Sequence, residues 1–475
     1  MKNPTSKLLL MLALLALGAF AAGCSDDDDP TKPTADLGEG AMLRVVHASP
    51  DAPAVDIYAE GVALPLVTDV SYLETTPYLE LAPGTYNIQL RAAGAPAASA
   101  PAFETGDLTI PADVTITAVA LGLLGSSDAA DRFRVVPFVE DFTLPGGGQA
   151  AVRIVHGSPD APAVAVDLGN DGSPEVTDFA RFAETGAAGV ALPAGTALNV
   201  GIWAGSPLSR VTAFTTPALA GETYFLIATG LLGAKPNATD GFGLLAVGPD
   251  GTVGLIRQDP VVYVLHGSPD APAVDVNVGG SDTALVDALS FGELSPPVQV
   301  PPAAYTLDVR VSSGGQLAAT VTTPELMAGE RYLAVASGFA GGSTPGLALL
   351  PYRDEFGVPG PALVRVVHAS PDAPAVDVGV WDGTTFTALD PFRNLAFGDA
   401  SAGTGTPIAL SSVTVGVAAK DTSTPVATFD LALSSDLSAF AVAMGSLAGT
   451  GEPFRLSVVV TSTWPWQVAE VLPNE

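Results

Sequence analysis

The chain is poor in several residue types, and each shortage excludes a class of protein. Among 475 residues there is one cysteine, Cys24, so no disulfide can form within the chain. Lysine and arginine number 19 against 50 aspartates and glutamates, which gives a formal net charge of −31. Nucleic-acid binding needs clustered basic side chains that neutralise phosphates, so we expect no nucleic-acid partner. Long amphipathic helical patterns are also missing, which argues against a helical fold.

The one long apolar run lies at the amino terminus. Lys2 and Lys7 precede an apolar stretch over 8–22, which is too short to span a bilayer and ends in small residues, as in an export signal. The stretch runs into Phe-Ala-Ala-Gly-Cys, which resembles a bacterial lipoprotein signal, where the cysteine thiol carries a lipid. The resemblance implies a signal peptide over 1–23 and lipidation of Cys24. It also implies a lipid-anchored protein of the bacterial outer membrane or cell surface.

The next segment, 24–40, has the composition of a tether. It contains four consecutive aspartates, two prolines and small polar residues, so it cannot bury enough apolar area to offset the entropy of ordering. The aspartates could in principle bind a cation, but neighbouring like charges repel and nothing fixes their geometry. We predict a disordered acidic tether.

All the histidines of the chain open one repeated phrase, His-Ala/Gly-Ser-Pro-Asp-Ala-Pro-Ala-Val. The copies start about 100–110 residues apart, which is the length of a small domain rather than of a solenoid repeat. The sequence therefore predicts four domains, over 41–141, 150–250, 260–355 and 362–470. The histidines are His47, His156, His266 and His368.

Each copy shows the residue pattern of β-strands. Tyr86, Ile88 and Leu90 alternate with polar residues, which is the period of a half-buried strand, and Pro83-Gly84 before them favours a turn. A later apolar run in each copy is rich in β-branched residues and predicts a strand buried on both faces. We therefore predict an all-β chain of four tandem antiparallel β-sandwiches, immunoglobulin-like, with short linkers near 140–150, 249–259 and 353–361.

The phrase and its flanks, Leu43 to Asp56, resemble the signature of DUF4397, a bacterial domain family of unknown function. The signature recurs over 152–167, 262–275 and 364–377. The resemblance implies secreted or surface-anchored proteins with tandem domains, and it implies no activity.

The phrase predicts a strand, a corner and a second strand. Pro50 suits the second position of a turn, and Ala52-Pro53 directs the chain into an extended exit, where Asp56 is expected to face outward. The favoured interpretation is that His47 and Asp51 hydrogen-bond the backbone of the corner and close one end of the sandwich. The residues that this interpretation concerns are His47, Asp51, Asp56, His156, Asp160, His266, Asp270, Asp275, His368, Asp372 and Asp377.

Three chemical interpretations of the phrase compete with the structural one. A hydrolytic triad of His47, Ser49 and Asp51 is disfavoured, because residues two apart on a strand lie about 7 Å from each other. Ca²⁺ could bind Asp51 and Asp56, a hard cation on carboxylate oxygens. Zn²⁺ would need about four ligands, whereas each domain has one histidine and no cysteine. We therefore predict no metal and no cofactor.

The second copy departs from the pattern that a Ca²⁺ site would need. Ala165 stands where the first copy has Asp56, and the next acid is Asp167. A cation bound there would not be required for folding.

The expected function is a non-catalytic array of modules for surface binding, adhesion or spacing, with a cell-surface polymer or protein as its ligand. The alternative is a cation-dependent or carbohydrate-binding surface protein that uses the four corners as ligand sites. Trp464-Pro465-Trp466 could be an exposed platform for stacking sugars, but we favour a cover over the open end of the last domain.

Overall fold

The computed structural model describes residues 40–357, 360–409 and 411–474 and consists mainly of β-strands. The strands form eight sheets, two in each repeat. The prediction of an all-β chain of sandwich domains is confirmed. Within the described ranges the one helical element is a short 3₁₀ helix, Asp390–Phe392.

The first repeat is a sandwich of two four-stranded sheets. Its strands are β1 (Ala41–His47), β2 (Val55–Ala59), β3 (Val67–Val70), β4 (Leu79–Leu81), β5 (Gly84–Ala92), β6 (Phe103–Ile110), β7 (Thr115–Leu121) and β8 (Arg134–Val139). One sheet has the order β4-β1-β7-β8 and the other β3-β2-β5-β6. We call the first the paired sheet, because it packs against a neighbouring repeat, and the second the outer sheet.

The second repeat has the same plan with one strand more. Its strands are β9 (Gln149–His156), β10 (Val164–Leu168), β11 (Val176–Phe179), β12 (Val190–Pro193), β13 (Asn199–Ala204), β14 (Ser209–Thr215), β15 (Thr223–Thr229), β16 (Gly243–Gly248) and β17 (Gly251–Arg257). The paired sheet has the order β12-β9-β15-β16-β17 and the outer sheet β11-β10-β13-β14. The prediction of a linker near 249–259 is therefore wrong in part. A tight turn between the paired Gly248 and Gly251 adds β17 to the sheet instead.

The third and fourth repeats follow the same order of strands. The third contains β18 (Val261–His266), β19 (Val274–Val278), β20 (Ala284–Leu289), β21 (Val298–Gln299), β22 (Thr306–Val311), β23 (Leu317–Thr322), β24 (Arg331–Ser337) and β25 (Ala348–Arg353). The fourth contains β26 (Ala362–His368), β27 (Val376–Trp381), β28 (Phe386–Ala388), β29 (Thr406–Ile408), β30 (Ser412–Ala419), β31 (Pro425–Ala432), β32 (Ser438–Met444), β33 (Arg455–Val460) and β34 (Gln467–Val471). The paired sheets are β21-β18-β24-β25 and β29-β26-β32-β33-β34, and the outer sheets are β20-β19-β22-β23 and β28-β27-β30-β31.

Each paired sheet is mixed rather than purely antiparallel. The strand that carries the histidine runs parallel to the long apolar strand near the end of the repeat, as β1 does to β7. The same parallel pair recurs as β9 with β15, β18 with β24 and β26 with β32. Strands buried on both faces read as continuous apolar runs, which matches the pattern of β7.

The core of each sandwich lies between its two sheets. In the first repeat Leu43 and Val45 of β1 and Ile116 of β7 face Ile57 and Leu90 of the outer sheet. Alternate residues of one strand point to opposite faces, so the residues between those of β1 point away from this core. The far face of the paired sheet must therefore find a second partner.

That partner is the paired sheet of the neighbouring repeat. Val46, Leu121 and Phe138 of the first repeat form one buried cluster with Phe225 and Leu245 of the second. The third and fourth repeats share a cluster in the same manner, which includes Tyr263, Leu265 and Val335 with Val367, Phe440 and Val442. Each sandwich therefore has its own core and, on the other face of its paired sheet, a second buried layer that it shares with a neighbour. Two repeats build one block around a shared apolar layer.

Arginines hydrogen-bond across the first block in a reciprocal way. Arg44 Nη1 donates to the carbonyl oxygen of Gly248 at 2.6 Å, and Arg153 Nη1 donates to that of Val139 at 2.7 Å. Each arginine lies three residues before the histidine of its own repeat and reaches the end of a strand in the other. The block therefore has approximate twofold symmetry, like an isologous dimer joined into one chain.

The two wordings of the phrase follow from this packing. The first block has Ala48 in one repeat and Gly157 in the other, and the second block has Gly267 and Ala369. A Cβ on Gly157 would meet Leu121 Cδ2 at 2.5 Å and the carbonyl oxygen of Ala228 at 2.8 Å. The glycine is required because the partner repeat's leucine fills the space that a methyl group would occupy.

Candidate functional site

The repeated phrase lies at the end of the first strand of every repeat. The histidine is the last residue of β1, β9, β18 and β26, and the next strand of the outer sheet begins eight residues later. The phrase thus forms the corner at which the chain passes from the paired sheet to the outer sheet. The strand, corner and strand predicted from the sequence are therefore present.

The histidine closes the corner onto its own backbone. In every repeat the Nε2 atom lies within hydrogen-bond distance of the carbonyl oxygen of the second proline of the phrase. Because a carbonyl only accepts, Nε2 carries the proton and donates. The distances are 3.2 Å from His47 to Pro53, 2.9 Å from His156 to Pro162, 3.1 Å from His266 to Pro272 and 2.9 Å from His368 to Pro374.

The imidazole rings are buried and held neutral. Burial lowers the pKa of His47, His156, His266 and His368, because a charged ring would lose its hydration. The Nδ1 atom of each ring has no hydrogen-bond partner among the described residues. A proton added to Nδ1 would therefore place a charge in the interior without a hydrogen-bond acceptor among the described residues.

The aspartate of the phrase ties the corner to the loop that follows the long parallel strand. Asp270 accepts the backbone N–H groups of Ala340 and Gly341, at 2.8 and 2.9 Å. The same carboxylate position accepts backbone N–H groups in the other three repeats, namely Asp51 from Leu124 and Gly125, Asp160 from Leu232, and Asp372 from Leu447 and Ala448. This contact spans at least 70 residues of chain, the separation of Asp270 and Ala340.

The serine hydroxyl makes the third hydrogen bond that joins the corner to the backbone of the repeat. It donates to the carbonyl oxygen of a glycine, and all four glycines have a positive φ, between 82° and 101°. A Cβ on Gly122 would meet the carbonyl oxygen of Arg132 at 2.4 Å, so no other residue fits. These glycines were not predicted as partners of the serine, although Gly122 and Gly230 end the apolar runs of their repeats. The pairs are Ser49 with Gly122, Ser158 with Gly230, Ser268 with Gly338 and Ser370 with Gly445.

The second aspartate of the phrase serves a different part of the sandwich. Asp56 is buried, which corrects the expectation that it faces outward, and it accepts the N–H groups of Asp69 and Gly94, both at 2.9 Å. Asp275 accepts from Ala288 and the Ser312 hydroxyl, and Asp377 accepts from Asn394 and Asp421. These aspartates hold the loops of the outer sheet.

The second repeat replaces that contact with a local one. Ala165 occupies the position of the buried aspartate, and Asp167, two residues on, accepts the N–H groups of Asp171 and Gly172 in the adjoining turn. The carboxylate has moved one step along the same face of the strand. It stabilises the turn that follows rather than the loops across the sheet.

The structure does not bring together the residues that the three chemical interpretations require. Asp51 and Asp56 bond different loops rather than a common point, and the Ser49 hydroxyl donates to Gly122 rather than to an imidazole. Across the described ranges no group of three or more His, Cys, Asp or Glu side chains is arranged to hold a metal ion. What the phrase does in this structure is join three backbone segments.

The comparison with protein families agrees with the recurrence of the phrase. The model of a domain of unknown function, DUF4397, matches residues 41–167, 260–379 and 362–467, which together exceed half of the chain. The chain belongs to this family. A comparison with curated proteins gives no match. The DUF4397 matches cover the phrase of every repeat, and the part of the second repeat after 167 lies outside them although its sandwich is complete.

The tryptophans near the carboxyl end of this DUF4397 chain do not form a common platform. Trp466 is buried and stacks on Tyr263 of the third repeat, with ring centroids 4.5 Å apart. Trp464 is half exposed beside the guanidinium of Arg331. Trp466 therefore belongs to the layer between two repeats, and the expectation that it covers the open end of the last domain is wrong.

The expected anchor, Cys24, and the expected tether over 24–40 lie outside the described residues, apart from Gly40. No helix among the described residues is long and apolar enough to cross a membrane.

Proposed function

We propose that this DUF4397 protein is a non-catalytic component of the bacterial envelope. It would be anchored by a lipid on Cys24, and its repeats would bind, adhere to or space structures at the cell surface. The observation that carries the proposal is the state of the repeated phrase. In every repeat its histidine, serine and aspartate are joined to backbone groups of the same repeat. A phrase used in this way in every domain has the distribution of a folding requirement.

The pairing of repeats supports a spacing or presenting role. A shared apolar layer couples two sandwiches more firmly than a flexible linker would, because the contact includes fully buried side chains such as Phe225 and Phe440. The acidic composition also suits a surface protein, because it favours solubility and repels anionic polymers. The ligand would then be a neutral or basic surface component.

The anchor is tested in the producing bacterium. Wild-type protein and the Cys24→Ser variant are fractionated, and the amino-terminal peptide of the mature protein is analysed by mass spectrometry. We expect the wild-type protein in the membrane fraction, with acyl chains on a cysteine at its amino end, and the variant in the soluble fraction. Equal fractionation of the two, or an unmodified cysteine, contradicts the proposal. Digestion of intact cells with a protease then reports whether the repeats face outward.

Thermal melts distinguish the proposed function from the alternative, a cation-dependent protein. A cation bound by Asp51 or Asp372 would compete with the backbone N–H groups that these carboxylates already accept. Purified protein is melted with EDTA, with added Ca²⁺ and with added Zn²⁺. The proposal expects equal melting temperatures in all three, because the corners need no ion. A rise with one ion that EDTA reverses would favour the cation-dependent function.

A further inference from the structure

The cores of the second, third and fourth sandwiches are filled to different degrees. Between the two sheets of the fourth repeat lies a cavity of about 240 Å³, whereas the corresponding spaces in the third and second repeats measure about 40 and 30 Å³. The repeats share one strand order, and at two core positions the fourth repeat has a smaller side chain than the third.

The first position is in the strand that follows the outer-sheet turn. Val413 lies four residues before Val417, which pairs with Val378 of β27. The equivalent residues are Tyr86 in the first repeat and Tyr305 in the third, each four residues before the partner of the equivalent strand. Tyr86 and Tyr305 donate their hydroxyl groups to carbonyl oxygens of the preceding loop, at 2.8 and 2.6 Å. The fourth repeat therefore lacks the ring that fills this end of the core.

The second position is in the long parallel strand. Ala439 pairs with Val364, and the residues in the same register are Tyr224 in the second repeat and Tyr332 in the third. Both tyrosines are buried, and their hydroxyl groups accept backbone N–H groups. In the third repeat Tyr305 and Tyr332 both line the small residual space, so their rings occupy what is empty in the fourth. Val413 lines the cavity of the fourth repeat, and Ala439 lies on the same face of β32 as the lining residues Ala441 and Ala443. A ring at either position would therefore project towards the empty space.

The lining of the cavity is apolar throughout. Every lining residue has an apolar side chain or is glycine, and the inner part includes Val366, Phe392 and Phe429. Val413, Leu431 and Leu433 line it at the end of the sandwich and are only partly buried, so the cavity reaches the surface there. A molecule could therefore reach it without unfolding of the sandwich.

We propose that the fourth repeat binds one small apolar molecule in this cavity, an aromatic or branched compound of about the size of naphthalene. A dry apolar cavity of about 150 Å³ is enough to take up benzene. The larger volume here admits a second fused ring, and the lining offers no hydrogen-bonding side chain to a polar ligand. The third repeat, which has a tyrosine at both positions, would not bind it. This site goes beyond the proposed envelope function and does not depend on it.

The test uses the whole purified protein and 1-aminonaphthalene, whose fluorescence rises in apolar surroundings. The wild-type protein is expected to bind it saturably with one site per chain. Ala439→Tyr and Val413→Tyr copy the residues of the other repeats, and each is expected to weaken binding by at least about tenfold, because the ring takes the ligand's space. Val426→Tyr is the matched control, since Val426 is half exposed on β31 of the same repeat, and it is expected to bind like wild type.

Thermal melts without probe show that each variant is folded. Ala439→Tyr and Val413→Tyr are expected to melt at or above the wild-type temperature, because they fill an empty volume. If one of them fails to fold, the other decides. Absence of saturable binding to the wild-type protein overturns the proposal. So does binding that persists unchanged in a folded filling variant, because the probe would then lie elsewhere.

Discussion

His266 Nε2 lies 3.1 Å from the carbonyl oxygen of Pro272, six residues along the chain. The contact fixes the direction of the chain between two sheets. Nε2–H can donate to this carbonyl oxygen whether or not Nδ1 is protonated, so the cost of protonation comes from burying a charge. The same contact recurs in every repeat, so protonation of the histidine rings would affect the stability of all four sandwiches.

The histidine rings should titrate below their ordinary range. Burial lowers the pKa of all four from 6.5, so the folded protein binds these protons less readily than the unfolded chain. Stability is then fully present above about pH 6.5 and decreases as the pH falls towards the lowered values. Proton NMR of the ring C–H groups, of which the chain has four sets, measures the midpoints directly. Any ring with a midpoint at or above 6.5 while the protein is folded contradicts this.

Removal of the phrase aspartate should cost stability. Asp270→Ala leaves the N–H groups of Ala340 and Gly341 without their acceptor, and we expect unfolding to become easier by about 2 kcal/mol. Asp282→Ala removes the same charge from an exposed position of the same repeat and should change the free energy of unfolding by less than about 0.5 kcal/mol. Urea denaturation of the whole chain compares the two. Equal losses in the free energy of unfolding for the two variants would show that removal of the charge, and not loss of the hydrogen bonds at the corner, causes the destabilisation.

The two glycine-containing phrases should differ in their tolerance of a methyl group. Gly157→Ala forces Cβ against Leu121 and the Ala228 carbonyl, whereas in Gly267→Ala the nearest atom is Val335 Cγ1 at 3.3 Å. We expect a loss of about 1–3 kcal/mol for the first and a clearly smaller loss for the second. Neither glycine has a positive φ, so backbone strain does not enter the comparison. Denaturation midpoints of the two variants test it, and a larger loss for Gly267→Ala would refute the packing argument.

Shortening one side chain of the shared layer in one repeat should destabilise the neighbouring repeat as well. Phe225 of the second repeat contacts Phe138 and Phe142 across the shared layer, with ring centroids 6.1 and 5.3 Å apart. Phe225→Ala should cost about 3–5 kcal/mol and should also raise amide hydrogen exchange in β7 of the first repeat. Val253→Ala, at an exposed position, is the control. Unchanged exchange in β7 would mean that the repeats fold independently.

Much of the fold could be predicted from local patterns. The alternation of Tyr86, Ile88 and Leu90 is a property of neighbouring residues, and these residues lie in one strand of the structure, β5. The repeats could be recognised because the short phrase around each histidine recurs in the sequence. The corner was also predictable, because Pro50 and Pro53 restrict the backbone wherever they occur. These features depend on the chain over a few residues only.

The partners of the phrase could not be predicted, because they lie far away in sequence. Asp270 and Gly341 are separated by 71 residues, and no local rule relates a carboxylate to a backbone N–H group at that distance. The shared layer was missed for a related reason. Val46 reads as a core residue in any strand, and its sequence does not say whether the core belongs to its own repeat or to the next. A recurring glycine at the end of each apolar run was the one available signal for the serine contact.

The pairing of sandwiches sets a rule for how such a chain can grow or shrink. The paired sheet of each sandwich has one apolar face that is covered by the neighbouring repeat. Duplication or loss of a single repeat would therefore expose such a face to water. A protein with three copies would have to recruit a copy from a second molecule, and would become a dimer through it. Evolution and protein engineering can therefore lengthen this architecture safely only by even numbers.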